Sequence, residues 1–231
     1  MINIITICTG KYTRFFNDLY ASAEKHFLPN HEKNYYVFTD GEIHNASNVI
    51  KIHQEQRPWP YSTMMRFHMF NKLLLNDSDY VYFLNANMLF VDDVNEEAIP
   101  DSSNDNLMGV AHPGYYDKPM WLLPYERNII SRLHIPLTIG KTYYQGCFNG
   151  GRAKEFMQMS NDLAALIDLD LKCGHIPVWH DESALNWYYC FRNPLILNPG
   201  YAYPEGWVLP FQQKVLQLDK SKLGGHEYLR S

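Results

Sequence analysis

The chain has 231 residues with a formal net charge of −5; 46% of it is hydrophobic and 19% charged, so it is long enough for one substantial core and too apolar for disorder. With 20 Lys+Arg against 25 Asp+Glu and no basic run, a nucleic-acid surface is excluded, and no apolar stretch approaches the roughly 18 residues of a membrane helix. Met1–Cys8 lacks the basic-then-apolar pattern of a signal peptide, and four widely spaced cysteines without a CxxC pair argue against a disulfide scaffold or zinc knuckle, which fits a cytoplasmic location.

In chain order, Asn3–Cys8 reads as an apolar strand ending in a Thr9-Gly10 turn. Phe15, Phe16, Leu19, Tyr20, Ala23 and Phe27 then recur at helical spacing. Asn34–Phe38 and Val49–Ile52 read as strands, Ser62–Leu75 as a Met/Phe-rich helix and Tyr80–Leu84 as a strand covered on both faces. Further on, the pattern predicts a strand at Leu107–Ala111, a helix over Tyr125–Leu133 and a strand over Thr142–Asn149. Helices follow over Ala153–Leu171 and Asp181–Tyr189, and the polar residues from Lys220 onward, with Gly224-Gly225, read as a mobile tail. This alternation predicts an α/β fold with a mostly parallel sheet, whose ligands sit at the carboxyl ends of its strands: Cys8–Tyr12, Thr39–Gly41 and Asn85–Asn87.

Four constellations carry chemistry. Asn85-Ala86-Asn87 ends the Tyr80–Leu84 strand with two amides at i and i+2, either weak oxygen ligands or an ordinary turn. In Trp179-His180-Asp181-Glu182, Asp181 reads as a helix cap and Glu182 as a first-turn carboxylate held as the anion by the helix dipole. Such a carboxylate suits a nucleophile or an oxocarbenium stabiliser, and equally plain capping. Gln145-Gly146-Cys147-Phe148-Asn149-Gly150-Gly151 lets backbone approach a ligand closely but lacks dinucleotide and P-loop spacing. His112-Pro113-Gly114-Tyr115 is either a sugar-stacking turn or a plain Pro-Gly turn.

Taken in order, Ala23–Phe27, Tyr35–Asp40, His112-Pro113-Gly114, Tyr125-Glu126-Arg127, Phe148–Gly151 and Trp179–Ser183 resemble glycosyltransferase family 6, the family of the blood-group A and B transferases, across nearly the whole chain. The Asn-Ala-Asn resembles the family's bacterial, metal-independent branch of A-type N-acetylgalactosaminyltransferases. The resemblance implies one GT-A domain over residues 1–231, with a mainly nucleotide-binding half (1–90), a mainly acceptor-binding half (91–219) and the tail (220–231). It implies a retaining transfer of GalNAc from UDP-GalNAc to the 3-hydroxyl of galactose in a Fucα1-2Gal acceptor, with no cofactor and no divalent metal. UDP-galactose as donor, or a lectin-like protein without activity, are the alternatives.

By resemblance, Ile7, Thr9 and Tyr12 match the uridine segment, and Arg66 an arginine near the diphosphate. Asn85 and Asn87, around Ala86, replace two metal-binding aspartates; Gln145 and Cys147, around Gly146, match the positions that choose the donor sugar. His180 and Asp181 match donor positions, and Glu182 the catalytic carboxylate, which also borders the acceptor with Trp179, His112, Gly114 and Tyr115. Lys220, Lys222 and Arg230 are candidates for basic tail residues that fold over the diphosphate.

Overall fold

The structure is a computed structural model that describes residues 1–230. Strands β1 (Ile2–Ile7), β2 (Lys33–Thr39), β3 (Val49–His53) and β4 (Tyr80–Leu84) form the parallel half of a seven-stranded sheet. A short β5 (Met88–Phe90) leaves it; β6 (Leu107–Ala111), β7 (Tyr144–Arg152) and β8 (Leu195–Leu197) complete it in the order β3-β2-β1-β4-β7-β6-β8. Strand β7 is antiparallel to both neighbours, whereas β6 and β8 are parallel.

Both faces of the sheet are covered, which is why β1 and β4 read as continuous apolar runs. Helix α1 (Phe16–His26) packs Phe16, Leu19 and Ala23 on one face. Three helices cover the other: α3 (Arg66–Phe70), preceded by the single turn α2 (Tyr61–Met64); α4 (Ala153–Lys172); and α5 (Asp181–Cys190). None of the helices is long and apolar enough to cross a membrane.

Two predicted helices differ in the structure. Ser62–Leu75 breaks at Met65, where Arg66 Nε takes the Thr63 carbonyl that a continuous helix would offer to residue 67. Tyr125–Leu133 is a chain of turns, because its polar side chains capture its own amides. Glu126 Oε1 accepts from Asn128 N, Asn128 Oδ1 from Ile130 N and Ser131 Oγ from Leu133 N.

The C-terminal residues are folded rather than free. Strands β9 (Tyr203–Pro204) and β10 (Val215–Gln217) join β5 in a small sheet, and β10 delivers the chain to the site. A 3₁₀ turn (Lys220–Leu223) and helix α6 (Gly225–Arg230) follow, with Leu229 fully buried. Lys11 Nζ donates to the Tyr228 carbonyl and Gln56 Nε2 to that of Arg230, both at 2.9 Å.

Candidate active site

The ends of β1 and β4 open into a pocket lined by Ile7, Thr9, Tyr12, Arg66, Asn85, Ala86 and Asn87, roofed by Lys220 and Arg230 from the C-terminal segment. The sequence reading anticipated these residues. It missed Gln56, Arg57, Trp59, Ser62, Thr63 and Phe83, which complete the wall. The two prolines flanking Trp59 were the available signal for a rigid loop there. The third expected strand end, Thr39–Gly41, braces the wall instead: Asp40 accepts from Gly10 N at 2.7 Å and Gln56 N at 3.2 Å.

The pocket is cationic. Arg57, Arg66, Lys220 and Arg230 line it, and among the described residues no carboxylate does. The Lys220 ammonium is pushed down to about 8, first by burial and then by Arg230. Arg230 stacks 3.5 Å from the Trp59 ring centroid, and Lys220 sits 5.2 Å from that of Tyr12. Two cations held this close together suit a polyanion, and Asp181, the carboxylate that acts on Lys220, is engaged by Arg66. Lys222 is not part of it; the side chain points outward and pairs with Glu205.

The floor is built around Gly146. Between Gly109 and Val110 the β6–β7 register jumps, so that Gly146, Cys147 and Phe148 bulge out of the pairing with β6. Gly146 N donates to Glu182 Oε2 at 2.9 Å, and Gly146 O accepts from Arg66 at 2.7 Å. The same Arg66 nitrogen lies 3.0 Å from Asp181 Oδ2, and its guanidinium stacks on Phe83 at 4.3 Å. A Cβ on Gly146 would lie 3.0 Å from Asp181 Oδ2, a tight contact that would push this carboxylate back by a few tenths of an ångström. Gly150 and Gly151 serve a different purpose: a Cβ there would strike β4 and the strand β6 entry, so their close approach is to neighbouring backbone, not to a ligand.

Asp181 thus pairs with Arg66 instead of capping α5. His180 is the residue at the cap, with φ 56° and ψ −119°, a strained backbone for a non-glycine residue. Its ring meets Trp59 edge-on at 4.8 Å, which joins the Trp179–Glu182 segment to the pocket wall. Trp179 itself stays half exposed at 47%.

Glu182 departs from the sequence expectation. Burial raises its carboxyl to about 7, outweighing the Gly146 amide, which favours the anion. Asp181 raises it further, while Tyr143 and Arg66 lower it. Tyr143 is buried beside this carboxylate, though its hydroxyl has no partner in good hydrogen-bond geometry among the described residues. Asn186, one turn along α5 and fully buried, ties the backbone of Glu182 to β7. It accepts from Tyr144 N at 2.7 Å and donates to Tyr144 O and Glu182 O at 2.8 and 2.9 Å.

Gln145 turns toward β10, donating to Gln217 at 2.8 Å. Cys147 is buried beneath the pocket, its carbonyl accepting from Asn85 N at 2.9 Å; burial pushes its thiol up, which makes it inert packing. Asn87 Nδ2 donates to the Leu218 carbonyl at 3.0 Å, so this amide is a donor to protein backbone. The strand end offers a cation two neutral amides and no carboxylate, a poor donor set for a divalent ion.

On the far side of Glu182, the rings of His112 and Tyr115 pack on Tyr143 at 5.7 and 5.4 Å. Burial lowers His112 to about 4, so the ring is neutral. Its Nδ1 accepts from Gly114 N at 3.0 Å, which leaves the proton on Nε2 as a donor. Gly114 borders only the His112 ring, at 3.4 Å from a built Cβ, and leaves space beyond it.

Comparisons with known proteins show the family of the chain. The family model for glycosyltransferase family 6 matches residues 1–230. The O-antigen biosynthesis glycosyltransferase WbnI of Escherichia coli is 37% identical over 96% of both chains. The globoside α-1,3-N-acetylgalactosaminyltransferase 1 of Gallus gallus is 28% identical over 88% of this chain, and the histo-blood group ABO system transferase 2 of Rattus norvegicus 29% over 89%. The chain spans 62% and 65% of those two animal proteins. With a family match over residues 1–230 and a relative 37% identical along almost its whole length, the chain belongs to glycosyltransferase family 6.

Proposed function

We propose that the protein transfers GalNAc from UDP-GalNAc to the 3-hydroxyl of galactose in a Fucα1-2Gal acceptor, with retention and without a divalent metal. The observation that carries this reading is the Glu182 carboxylate, held at 2.9 Å by Gly146 between the cationic pocket and the His112–Tyr115 turn. The uridine lies against Ile7, Thr9 and Tyr12, and the diphosphate meets Lys220, Arg230 and Arg57. As the C–O bond to the diphosphate breaks, negative charge grows on the leaving group, and these cations stabilise it. Positive charge grows at the anomeric carbon, and ionised Glu182 stabilises it from the opposite side; the acceptor 3-hydroxyl oxygen then bonds to that carbon on the face the diphosphate leaves and passes its proton to the departing diphosphate.

His112 Nε2–H and Trp179 hold the acceptor galactose, and the space beside Gly114 takes the fucose. Asn85 and Asn87 replace carboxylates with neutral amides, which supports leaving-group stabilisation by the basic residues rather than by a metal. One observation favours UDP-galactose as the donor: Cys147, at a position that by resemblance chooses the donor sugar, is larger than the glycine that would leave room for an acetamido group.

UDP release, measured with both UDP-sugars and with lactose and 2′-fucosyllactose, tests the reading. Turnover is expected with UDP-GalNAc and 2′-fucosyllactose. A preference for UDP-galactose overturns the donor assignment, and glycan binding with no UDP release leaves a lectin.

A further inference from the structure

The turn Asn128-Ile129-Ile130-Ser131 has no part in the site above. Its central pair is apolar, although such positions ordinarily carry polar or glycine residues. Ile129 is 82% exposed and Ile130 63%. The turn is held rigidly in that presentation. Ile130 N donates to Asn128 Oδ1, Ser131 N to Asn128 O, and Ser131 Oγ to the fully buried Asp170 at 2.5 Å. Asn128 Nδ2 lies 3.4 Å from His175 Nδ1, which brings the segment carrying the exposed Ile176 and Val178 alongside.

The charges on these segments are one-sided. Glu126 and Asp170 are buried and consumed by the fold: Glu126 accepts from Asn128 N, Val178 N and His175, and Asp170 from Ser131 and Arg132 N. Asp168, half exposed on α4 one turn before Lys172, is paired with His68 at 2.9 Å. Arg132 and Lys172 remain, both exposed. Other apolar pairs are exposed, Trp121-Leu122 and Trp207-Val208 among them; what this one adds is a border of two cations on a chain whose net charge is −5.

We propose that this face, with Ile129 and Ile130 at its tip, seats the protein on an anionic phospholipid bilayer. The isoleucines enter the headgroup region, while Arg132 and Lys172 meet lipid phosphates. The alternative occupant, a second copy in an isologous dimer, would bring Arg132 and Lys172 near their own counterparts, which opposes it. Trp179 follows directly on Ile176 and Val178, so the acceptor end of the site faces the same neighbourhood.

Co-sedimentation of the intact protein with vesicles of phosphatidylglycerol and phosphatidylcholine, against phosphatidylcholine alone, tests this. Binding is expected only with the anionic vesicles, weakening with salt, and falling at least about tenfold in the double variant Ile129→Ser, Ile130→Ser. That variant keeps its melting temperature and its turnover of soluble acceptor, since neither residue touches the site. No binding to anionic vesicles, or undiminished binding by the variant, overturns the proposal. So does a dimer in solution that the variant dissociates. None of these outcomes bears on the donor or acceptor assignment.

Discussion

Gly146 holds Glu182 with its amide at 2.9 Å, and its carbonyl holds Arg66 at 2.7 Å. The carboxylate proposed to face developing positive charge and the guanidinium beneath the pocket are therefore held by the same residue. The bulge in β7 makes this possible, because a regularly paired strand would spend both groups on its neighbours. Asp181 neutralises Arg66 on the spot, at 3.0 Å. The anion-binding charge of the pocket thus comes chiefly from Arg57, Lys220 and Arg230.

Glu182→Gln keeps the shape and the Gly146 hydrogen bond but removes the charge. UDP-GalNAc binding is expected to stay near that of the parent while kcat falls by roughly 10²–10⁴, the range for loss of one preorganised electrostatic contact. Binding by calorimetry and single-turnover rates separate the two. Near-parental kcat in a folded variant removes Glu182 from the chemistry.

The proposed reaction needs the ionised carboxylate, and burial raises that group to about 7. The ionised fraction rises with pH, so kcat/KM is expected to climb through an acid limb centred near pH 7. Tyr143 favours the anion, so Tyr143→Phe moves the limb to higher pH. A pH–rate profile with an unshifted limb in that variant rejects the link between Tyr143 and Glu182.

Asn186 acts as a side-chain substitute for a neighbouring strand, satisfying both backbone groups of Tyr144 and anchoring the turn that bears Glu182. Asn186→Ala leaves those groups buried and unpaired, costing about 1–3 kcal/mol for each. Thermal unfolding is expected to register the loss. In the fraction that stays folded, kcat should fall more than donor binding, because the carboxylate is displaced while the cationic pocket is not.

The parallel half of the sheet was legible because strands buried on both faces leave unbroken apolar runs, as in Tyr80–Leu84. The pocket residues at the ends of β1 and β4 followed from that topology and from the family resemblance. Other features were hidden because they depend on tertiary partners. Glu182 looked ionised from its place in a helix's first turn, but the desolvation that dominates it comes from distant residues. Asp181 looked like a cap until Arg66, from another helix, claimed it. Tyr125–Leu133 carried helical spacing, yet Glu126, Asn128 and Ser131 held their own amides in turns. Lys222 and Lys220 are two residues apart and alike in sequence; the 3₁₀ turn sends one outward and one into the pocket.

Gly114 has ordinary backbone torsions and only the His112 ring within 3.4 Å of a built Cβ, so a larger side chain there is compatible with the fold. Gly114→Trp fills the space assigned to fucose. The melting temperature is expected to hold, while the ratio of kcat/KM for 2′-fucosyllactose over lactose drops by at least about tenfold, the cost of a steric overlap near 1.4 kcal/mol or more. A parent protein that uses both acceptors equally would refute the pocket assignment.

The last prediction concerns Asn87 and metal. Its Nδ2 donates to the Leu218 carbonyl at 3.0 Å, and Leu218 N returns a bond to the Asn87 carbonyl at 2.9 Å. This reciprocal pair anchors the segment that carries Lys220 over the pocket. An aspartate at 87 cannot donate, and its carboxylate would face a carbonyl oxygen at a position only 2% exposed. Asn87→Asp is therefore expected to lower stability by about 1–3 kcal/mol and to raise KM for the UDP-sugar as Lys220 loses its footing. The parent should keep full activity in excess EDTA and gain nothing from Mn²⁺, because neutral amides give a divalent ion little to bind. An EDTA-sensitive parent restored by Mn²⁺ refutes metal independence. An Asn87→Asp variant that matches the parent in melting temperature and KM, and is stimulated by Mn²⁺, refutes the anchoring role: the amide would then be only a substitute for a metal ligand.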